Sequence, residues 1–455
     1  MTYATINPVN NQLVKRFSQH SKKEVQSILK KAKHGYTINR TSTFKLRAKR
    51  LNRLAELLEL KKRPLAMLMT LEMGKPITEA EAEIAKCVWV CNYYAQNAMS
   101  FLRDEHINAD NSINIITHVP LGVILGIMPW NFPFWQVFRF VAPALMAGNV
   151  VLIKHAPNVP QCALAIQNLF MEAGFSQGIY QNLFIDHKKT ARLIADDAIQ
   201  AITLTGSDKA GAAVAETAGR HIKKTVLELG GSDPFIVLSD ANVKEAAKIA
   251  VKSRMLNAGQ SCIAAKRFIV AENIAPIFID LLIDNIRALK VGNPMESDVQ
   301  VGPLAREDLA QKLALQVKKS MAMGAEAVIG GHRSRDKKGA FFNPTLLVNV
   351  TEEMPVFTEE IFGPVASVIT VRSVHRAIEI ANNSQYALGA SIWTSNIDRA
   401  LRLARQIEAG GVFINEMVKS DPRLPFGGIK KSGYGRELSS YGIKEFVNTK
   451  TIVVK

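Results

Sequence analysis

Cysteine is scarce: there are four in 455 residues. Cys87, Cys91, Cys162 and Cys262 show none of the paired spacings that build a zinc centre, so no metal site is expected. Cys87 and Cys91 stand four apart and read as two reduced helix thiols. Free thiols point to a reducing cytoplasm, and the opening Met1-Thr2-Tyr3-Ala4-Thr5 has neither the basic start nor the apolar run of a secretory leader. Uninterrupted apolar runs are lacking too. The uncharged stretch from Val119 to Phe138 is long enough to span a bilayer, but Pro120, Pro129 and Pro133 break it and Asn131 and Gln136 sit inside it. It reads as a buried strand followed by a loop. No repeat at solenoid period and no low-complexity tract occurs.

Negative charge is also in deficit, 40 Asp and Glu against 57 Lys and Arg, for a net +17. That balance raises a nucleic-acid or membrane partner. The basic residues are spread along the whole chain, however, and the densest group, Lys45-Leu46-Arg47-Ala48-Lys49-Arg50, suits the polar side of an amphipathic helix. A solvated basic surface is the expectation, with neither nucleic acid nor membrane bound. A positive field of this kind draws in anionic substrates or phosphate-bearing cofactors.

A hydrophobic content of 47% with 21% charged residues fits a folded chain, and the length calls for two or three domains. The first hundred residues read as helical, with Leu46, Leu51, Leu54, Leu57 and Leu58 at helical spacing and a second helix from Ile77 through Tyr94. Ile113 to Thr117 reads as strand, in an arm or edge hairpin. From Val150 strands and helices alternate. The strands are Val150–Ile153, Asn182–Ile185, Ala201–Thr205 and Thr225–Leu229, with helices at Gln161–Ala173, Thr190–Ala195 and Ala210–Ile222. This pattern implies a parallel sheet covered on both faces, the architecture of a nucleotide-binding domain. A second set begins at Phe235–Leu238, with helices Lys244–Arg254 and Ala275–Leu289 and strands Val365–Val371, Ala390–Trp393 and Val412–Ile414. The fold class expected is α/β: a nucleotide-binding parallel-sheet domain (1–101 and 121–230), a second α/β catalytic domain (231–432), and a small β arm and tail for oligomerisation (102–120 and 433–455). Thr451 to Val454 is a strand with no obvious partner nearby, suited to pairing with the arm of another subunit.

Three stretches carry chemistry. Cys262 follows Asn257-Ala258-Gly259-Gln260-Ser261, and Gly259 permits a turn tight enough to expose a thiol. A lone cysteine is more often a buried, inert one. Asn131 lies between Pro129 and Pro133, which stiffen a loop around a side-chain amide able to hold an oxyanion, or around an ordinary turn. Glu228 ends a strand before Gly230-Gly231, where burial makes a carboxylate a general base, or where it merely caps a strand end. Thiol, amide and carboxylate together suffice to attack a carbonyl, hold the oxyanion and activate water. A weaker signal is Gly206-Ser207, between a strand and a helix, whose N–H groups suit a pyrophosphate. The stretch lacks both the three-glycine dinucleotide fingerprint and a P-loop ending. Lys154 ends a strand where a ribose could be gripped.

In order and wording these stretches resemble the aldehyde dehydrogenase superfamily. The likeness runs from about Asn7-Pro8 to the C-terminus and takes in Glu72-Met73-Gly74-Lys75-Pro76, the Asn131 loop, Lys154, Gly206-Ser207, Glu228-Leu229-Gly230-Gly231, Gly259-Gln260-Ser261-Cys262, Glu359-Glu360-Ile361-Phe362-Gly363-Pro364, Pro425-Phe426-Gly427-Gly428 and Lys430 to Glu437. The resemblance implies that Cys262 attacks an aldehyde, that Asn131 and the Cys262 N–H hold the oxyanion, that hydride leaves to a nicotinamide, and that Glu228 activates water against the thioester. It places Lys154 and Glu360 at the riboses, Ser207 and Gly206 at the pyrophosphate, Phe362 against the nicotinamide, and Trp130, His155 and Gly230 in the cofactor set. The family's acid shortly after the ribose lysine is absent from Lys154-His155-Ala156-Pro157. A carboxylate there repels a 2′-phosphate, so NADP is expected as well as NAD.

Lys154 to Asn158 and Gly230 to Leu238 resemble bacterial succinate-semialdehyde dehydrogenases. The reaction implied is NAD(P)-dependent oxidation of succinate semialdehyde to succinate, with glutarate semialdehyde or lactaldehyde as rival substrates. A CoA-acylating member is disfavoured by Glu228, and a nucleic-acid-binding protein on an enzyme scaffold is the reading from another class. Arg139 matches an arginine that holds the substrate carboxylate, or is a structural arginine. A second such arginine is replaced by Leu256, leaving Arg254 or Ser420 as substitutes. Ile263 and Ala264 follow the nucleophile, so no neighbouring cysteine forms a redox switch. A homodimer or homotetramer is implied.

Overall fold

The computed structural model describes residues 2–109, 112–334 and 336–455. Between Val123 and Glu228 continuous apolar strands alternate with helices, and the strands form a parallel sheet. They are Val123–Met128, Val150–His155, Tyr180–Asn182, Ile199–Thr205 and Lys224–Glu228. Val123–Met128 lies in the middle. Val150–His155 and then Tyr180–Asn182 extend to one side, Ile199–Thr205 and Lys224–Glu228 to the other. Strand order therefore reverses between Val123–Met128 and Ile199–Thr205, and the crevice outside their carboxyl ends is where such sheets take ligands. The Pro129–Asn131 loop leaves one of these strands and Gly206–Ser207 the other.

The chain crosses to a second sheet within five residues of Glu228. Its strands run in the order Glu326–Ile329, Thr345–Val348, Val365–Val371, Ala265–Ala271, Asp233–Val237, Gly389–Trp393 and Gly411–Ile414. All are parallel except Glu326–Ile329. Asp233 pairs with Ala265, so these two strands start side by side. Glu228, just before one start, and Cys262, just before the other, are thereby delivered to the same seam. Each sheet has its own apolar core, one built largely from residues 29–229 and the other from 235–407.

Several elements differ from the sequence reading. The helical start is preceded by an antiparallel hairpin, Tyr3–Asn7 with Gln12–Phe17. Helices then run Lys22–Asn39, Phe44–Leu60, Lys62–Met73 and Ile77–Phe101. The strand expected at Asn182–Ile185 is Tyr180–Asn182 instead. Beyond Leu183 the backbone turns to side-chain partners: Phe184 N–H donates to His20 Nδ1 at 3.0 Å and Ile185 N–H to the Tyr3 hydroxyl at 3.2 Å. In the uncharged stretch, the loop after Met128 gives way to a helix, Trp135–Met146. Glu83 starts it by accepting the Phe134 and Trp135 N–H groups at 2.9 Å each.

The tail strand, Val447–Val454, finds its partner in its own chain. It pairs antiparallel with Ser112–Pro120, which pairs in turn with Glu105–Ala109. Sequence separation hid this pairing, because more than three hundred residues intervene. Gly433–Tyr434 adds an edge strand antiparallel to Lys224–Glu228, and helix Ser439–Lys444 packs on the helices of the first lobe. No helix among the described residues is long and apolar enough to cross a membrane.

Candidate active site

Cys262 is presented by a distorted loop. After helix Val243–Met255, Asn257, Ala258 and Gly259 take φ of 54°, 52° and 75° in succession. Left-handed backbone costs a residue other than glycine roughly 1–2 kcal/mol, so the conformation must be held from outside. Glu79 accepts the Asn257 N–H at 2.7 Å, and Asn257 Nδ2 donates to the carbonyls of Asn131 at 2.9 Å and Gln260 at 3.1 Å. Gln260 Oε1 receives the Ala305 N–H at 2.8 Å. From beneath, buried Lys266 donates to the carbonyls of Ser261, Cys262 and Ala264 at 2.9, 2.8 and 3.2 Å. The outcome is one half-exposed thiol, Cys262, against three buried ones.

The amide and the carboxylate lie beside it. Asn131 Nδ2 donates to the Gln260 carbonyl at 3.2 Å, within the nucleophile loop. Glu228 is buried, and neither of its oxygens has a hydrogen-bond partner among the described residues. A buried polar group without a partner costs about 1–3 kcal/mol and persists where function requires it. Burial drives the Glu228 pKa well above the usual carboxylate range; Arg139 opposes the shift and Glu437 adds to it. Burial likewise pushes the Cys262 thiol up to about 12, with Arg139 and Lys266 opposing and Glu228 and Glu360 reinforcing. The resting thiol is thus protonated and the neighbouring carboxyl has a high proton affinity, an arrangement suited to a base that collects a proton only as reaction proceeds. Gly231 makes the seam tight: a Cβ there would meet the Cys262 carbonyl oxygen at 2.4 Å.

Cys262 opens on a cavity of about 200 Å³ lined by Glu79, Glu83, Lys86, Trp135, Arg139, Ser420 and Phe426, among others. Arg139 and Ser420, both expected at the substrate, are there. Arg139 is almost fully enclosed. It pairs with Glu437 through Nε and stacks over the Phe426 ring at 4.7 Å. Arg254, the other substitute considered for the missing arginine, belongs to the scaffold instead. Its guanidinium is entirely buried and donates to the carbonyls of Ala265, Gly259, Ile361 and Gly363.

The opposite mouth of the seam has a different chemistry. Lys154 is buried at the carboxyl end of its strand, with no hydrogen-bond partner among the described residues, and burial lowers its pKa to about 8. Ser207 caps helix Asp208–Arg220, accepting the Ala210 N–H at 3.2 Å, and stays exposed beside Gly206. Glu360 Oε1 accepts the Gly231 N–H at 3.0 Å, and a Cβ on Gly230 would strike its other oxygen at 2.8 Å. Trp130 and Phe362 meet edge to face from the two lobes, ring centres 5.7 Å apart. A buried cation without a hydrogen-bond partner among the described residues, an exposed helix start and two half-exposed rings at a strand-order reversal fit a dinucleotide. His155 does not fit the role expected of it. It is fully enclosed, and burial lowers its pKa to about 3. An uncharged, enclosed ring offers nothing to a phosphate. Among the described residues no group of metal-ligating side chains occurs.

Comparison with known proteins agrees with this geometry. The model of the Aldehyde dehydrogenase family matches residues 1–452. The chain belongs to the aldehyde dehydrogenase family. A probable NADP+ succinate-semialdehyde dehydrogenase of Synechocystis sp. is 53% identical over 452 residues, 99% of each chain. An NADP+ succinate-semialdehyde dehydrogenase of Mycobacterium tuberculosis is 46% identical over 455 residues, again 99% of each. Among solved structures, the succinic semialdehyde dehydrogenase of Streptococcus pyogenes in complex with NADP+ superposes with a TM-score of 0.97, at 39% identity and 99% coverage of both chains.

Two residues of this aldehyde dehydrogenase escape a motif search. Lys266, the clasp under the nucleophile loop, is signalled only by two adjacent cations, Lys266 and Arg267, at the start of an apolar strand. Lys86 lines the cavity from helix Ile77–Phe101, where Glu79, Ala82, Glu83 and Lys86 recur at helical spacing. Charged side chains at three positions of a helix face that packs on the fold were the available sign.

Proposed function

We propose that this aldehyde dehydrogenase oxidises succinate semialdehyde to succinate, with NADP as the preferred acceptor and NAD as a second. The observation that carries the reading is the cavity in front of Cys262. It is small, walled by apolar rings, and carries Lys86, Arg139 and Ser420 where a substrate's far end would lie. A semialdehyde with a terminal carboxylate matches that polarity, and the names of the Synechocystis and Mycobacterium relatives point the same way. For the cofactor, Ala156 and Pro157 follow the Lys154–His155 strand end, so no carboxylate there repels a 2′-phosphate.

The cycle follows from the groups in the seam. Cys262 Sγ gives its proton to solvent and bonds to the aldehyde carbon, the carbonyl electron pair moving onto oxygen. The carbonyl oxygen, now negative, takes hydrogen bonds from Asn131 Nδ2 and the Cys262 backbone N–H, and such donors are each worth about 2.7–4 kcal/mol to the transition state. The nicotinamide, when bound, supplies the hydride acceptor. A thioester on Cys262 remains. Glu228 then removes a proton from water, the oxygen adds to the thioester carbon, the C–S bond breaks with that proton passing from Glu228 to the leaving sulfur, and the acid departs. Lys154, Ser207, Gly206 and Glu360 would hold the cofactor's ribose and pyrophosphate, with Trp130 and Phe362 about the ring.

We further propose a division into a nucleotide-binding region (1–101 and 121–230), a catalytic region (231–432) and an arm with tail, supported by the two separate apolar cores. Assembly as a homodimer or homotetramer fits the free edges of the three-stranded arm sheet and its exposed Ile113, Ile452 and Val453. Buried reduced thiols suit a cytoplasmic setting. The test is steady-state kinetics with succinate semialdehyde, butanal and lactaldehyde, each with NADP and NAD. The highest kcat/KM is expected for succinate semialdehyde with NADP. A clear preference for either neutral aldehyde rejects the acidic substrate.

A further inference from the structure

We propose that Lys86, with Ser420 beside it, is the anchor for the far carboxylate of the substrate, a specificity role that rests on the acidic-semialdehyde reading above. Three cations line the cavity: Lys86, Arg139 and Lys419. Arg139 is already matched by Glu437, and Lys419 by Glu416 at 2.6 Å. Among the described residues Lys86 alone of the three has no carboxylate partner. The nearby acids are committed elsewhere. Glu83 pairs with Lys75 and caps the helix at Phe134 and Trp135, Glu79 takes the Asn257 N–H, and Asp421 pairs with Arg423.

The ammonium is well placed. Its Nζ lies 4.4 Å over the Trp135 ring and donates to Ser420 Oγ at 2.7 Å. An ammonium has three N–H donors, so donors remain for a ligand. Ser420 Oγ accepts from Lys86 here, and a hydroxyl that accepts can still donate its own O–H to the same ligand. A cation and a hydroxyl donor thus stand together, reached from the face of helix Ile77–Phe101 that also supplies Glu79 and Glu83. Burial lowers the Lys86 pKa to about 8, and a bound anion would favour its charged form.

The experiment compares Lys86→Met, Lys86→Arg and the wild type on succinate semialdehyde and on butanal, which has the same carbon count without the carboxylate. A charge-assisted contact to a carboxylate predicts that the ratio of the two kcat/KM values falls about ten- to a hundredfold in Lys86→Met, mainly through KM of the acid, and recovers substantially in Lys86→Arg. If the wild type favours the acid but Lys86→Met keeps the ratio, the anchor is wrong and the substrate reading stands. If the wild type favours butanal, the substrate reading fails and takes the anchor with it. Should Lys86→Met not fold, the wild type answers through pH. The ratio of acid to butanal KM must rise as pH passes about 8, and a flat ratio overturns the proposal. The groups about Lys86 in that titration are Glu79, Glu83 and Cys87 on its own helix, Arg139 on the next, Asp421 and Lys419 on the facing loop, and Cys262 across the cavity.

Discussion

At the level of single residues, the division of labour between Cys262 and Glu228 is set by burial. Both groups resist ionisation, and Glu228 raises the proton affinity of the thiol. In the cycle proposed above the thiol reacts first and the carboxyl later, so removing the carboxylate should separate its two halves. Glu228→Gln is expected to keep a pre-steady-state burst of reduced cofactor about equal to the enzyme present, while steady turnover falls by about a hundredfold or more. Stopped-flow absorbance measures both, and loss of the burst would remove Glu228 from the hydrolytic step. The meeting of Cys262, Glu228 and Asn131 at one seam was legible in the sequence, because the three sit in motifs whose local wording reflects backbone demands. Lys86 was hidden because its meaning depends on Ser420 and Trp135, which tertiary structure alone brings to it. His155 misled because a charged-looking neighbour of Lys154 carries no sign of which way the strand's pleat turns it.

At the level of elements, the loop that carries the nucleophile is held by contacts along its whole length. Gly231 matters there because the Cys262 carbonyl occupies the space a side chain would need. Gly231→Ala should therefore lower kcat by at least about tenfold, since small misplacements of reacting groups carry large penalties. Binding of NADP, followed by fluorescence titration, should weaken much less. Equal loss of both would mean that the substitution disturbs the seam as a whole. The strand Val150–His155 offers a second test. His155 has a folded pKa near 3 against an ordinary 6.5. Above 6.5 it is neutral in both states and its contribution is complete. As pH falls toward 3 the unfolded chain takes up a proton that the folded one refuses, and stability declines by about 1.4 kcal/mol per pH unit. His155→Phe should flatten this acid limb of thermal stability, and an unchanged slope would show that His155 is not its source. Strand positions were largely readable from apolar runs. The exception at Asn182–Ile185 shows the limit, since Tyr3 and His20, far away in sequence, take the backbone groups that a ladder would have used.

For the whole molecule, the tail completes the arm. Val447–Val454 covers one edge of Ser112–Pro120, and without it a nine-residue strand would present an open ladder. Deleting residues 447–455 is expected to convert a defined species into aggregates on gel filtration. A truncated protein that elutes unchanged would show that the edge is protected by other means. The α/β class, the two sheets and the crossover near Glu228 could be anticipated from alternating patterns. Which strand the tail would meet could not, because pairing across so much chain depends on how both lobes fold first.

The seam has one more consequence. Asn131 from the first lobe bonds to the Gln260 carbonyl of the second, Asn257 returns the bond, and Gly231 abuts Cys262. The reacting groups are therefore aligned only while the lobes stay shut. A compound that pried them apart by an ångström at a remote rim would silence the enzyme without ever meeting the sulfur.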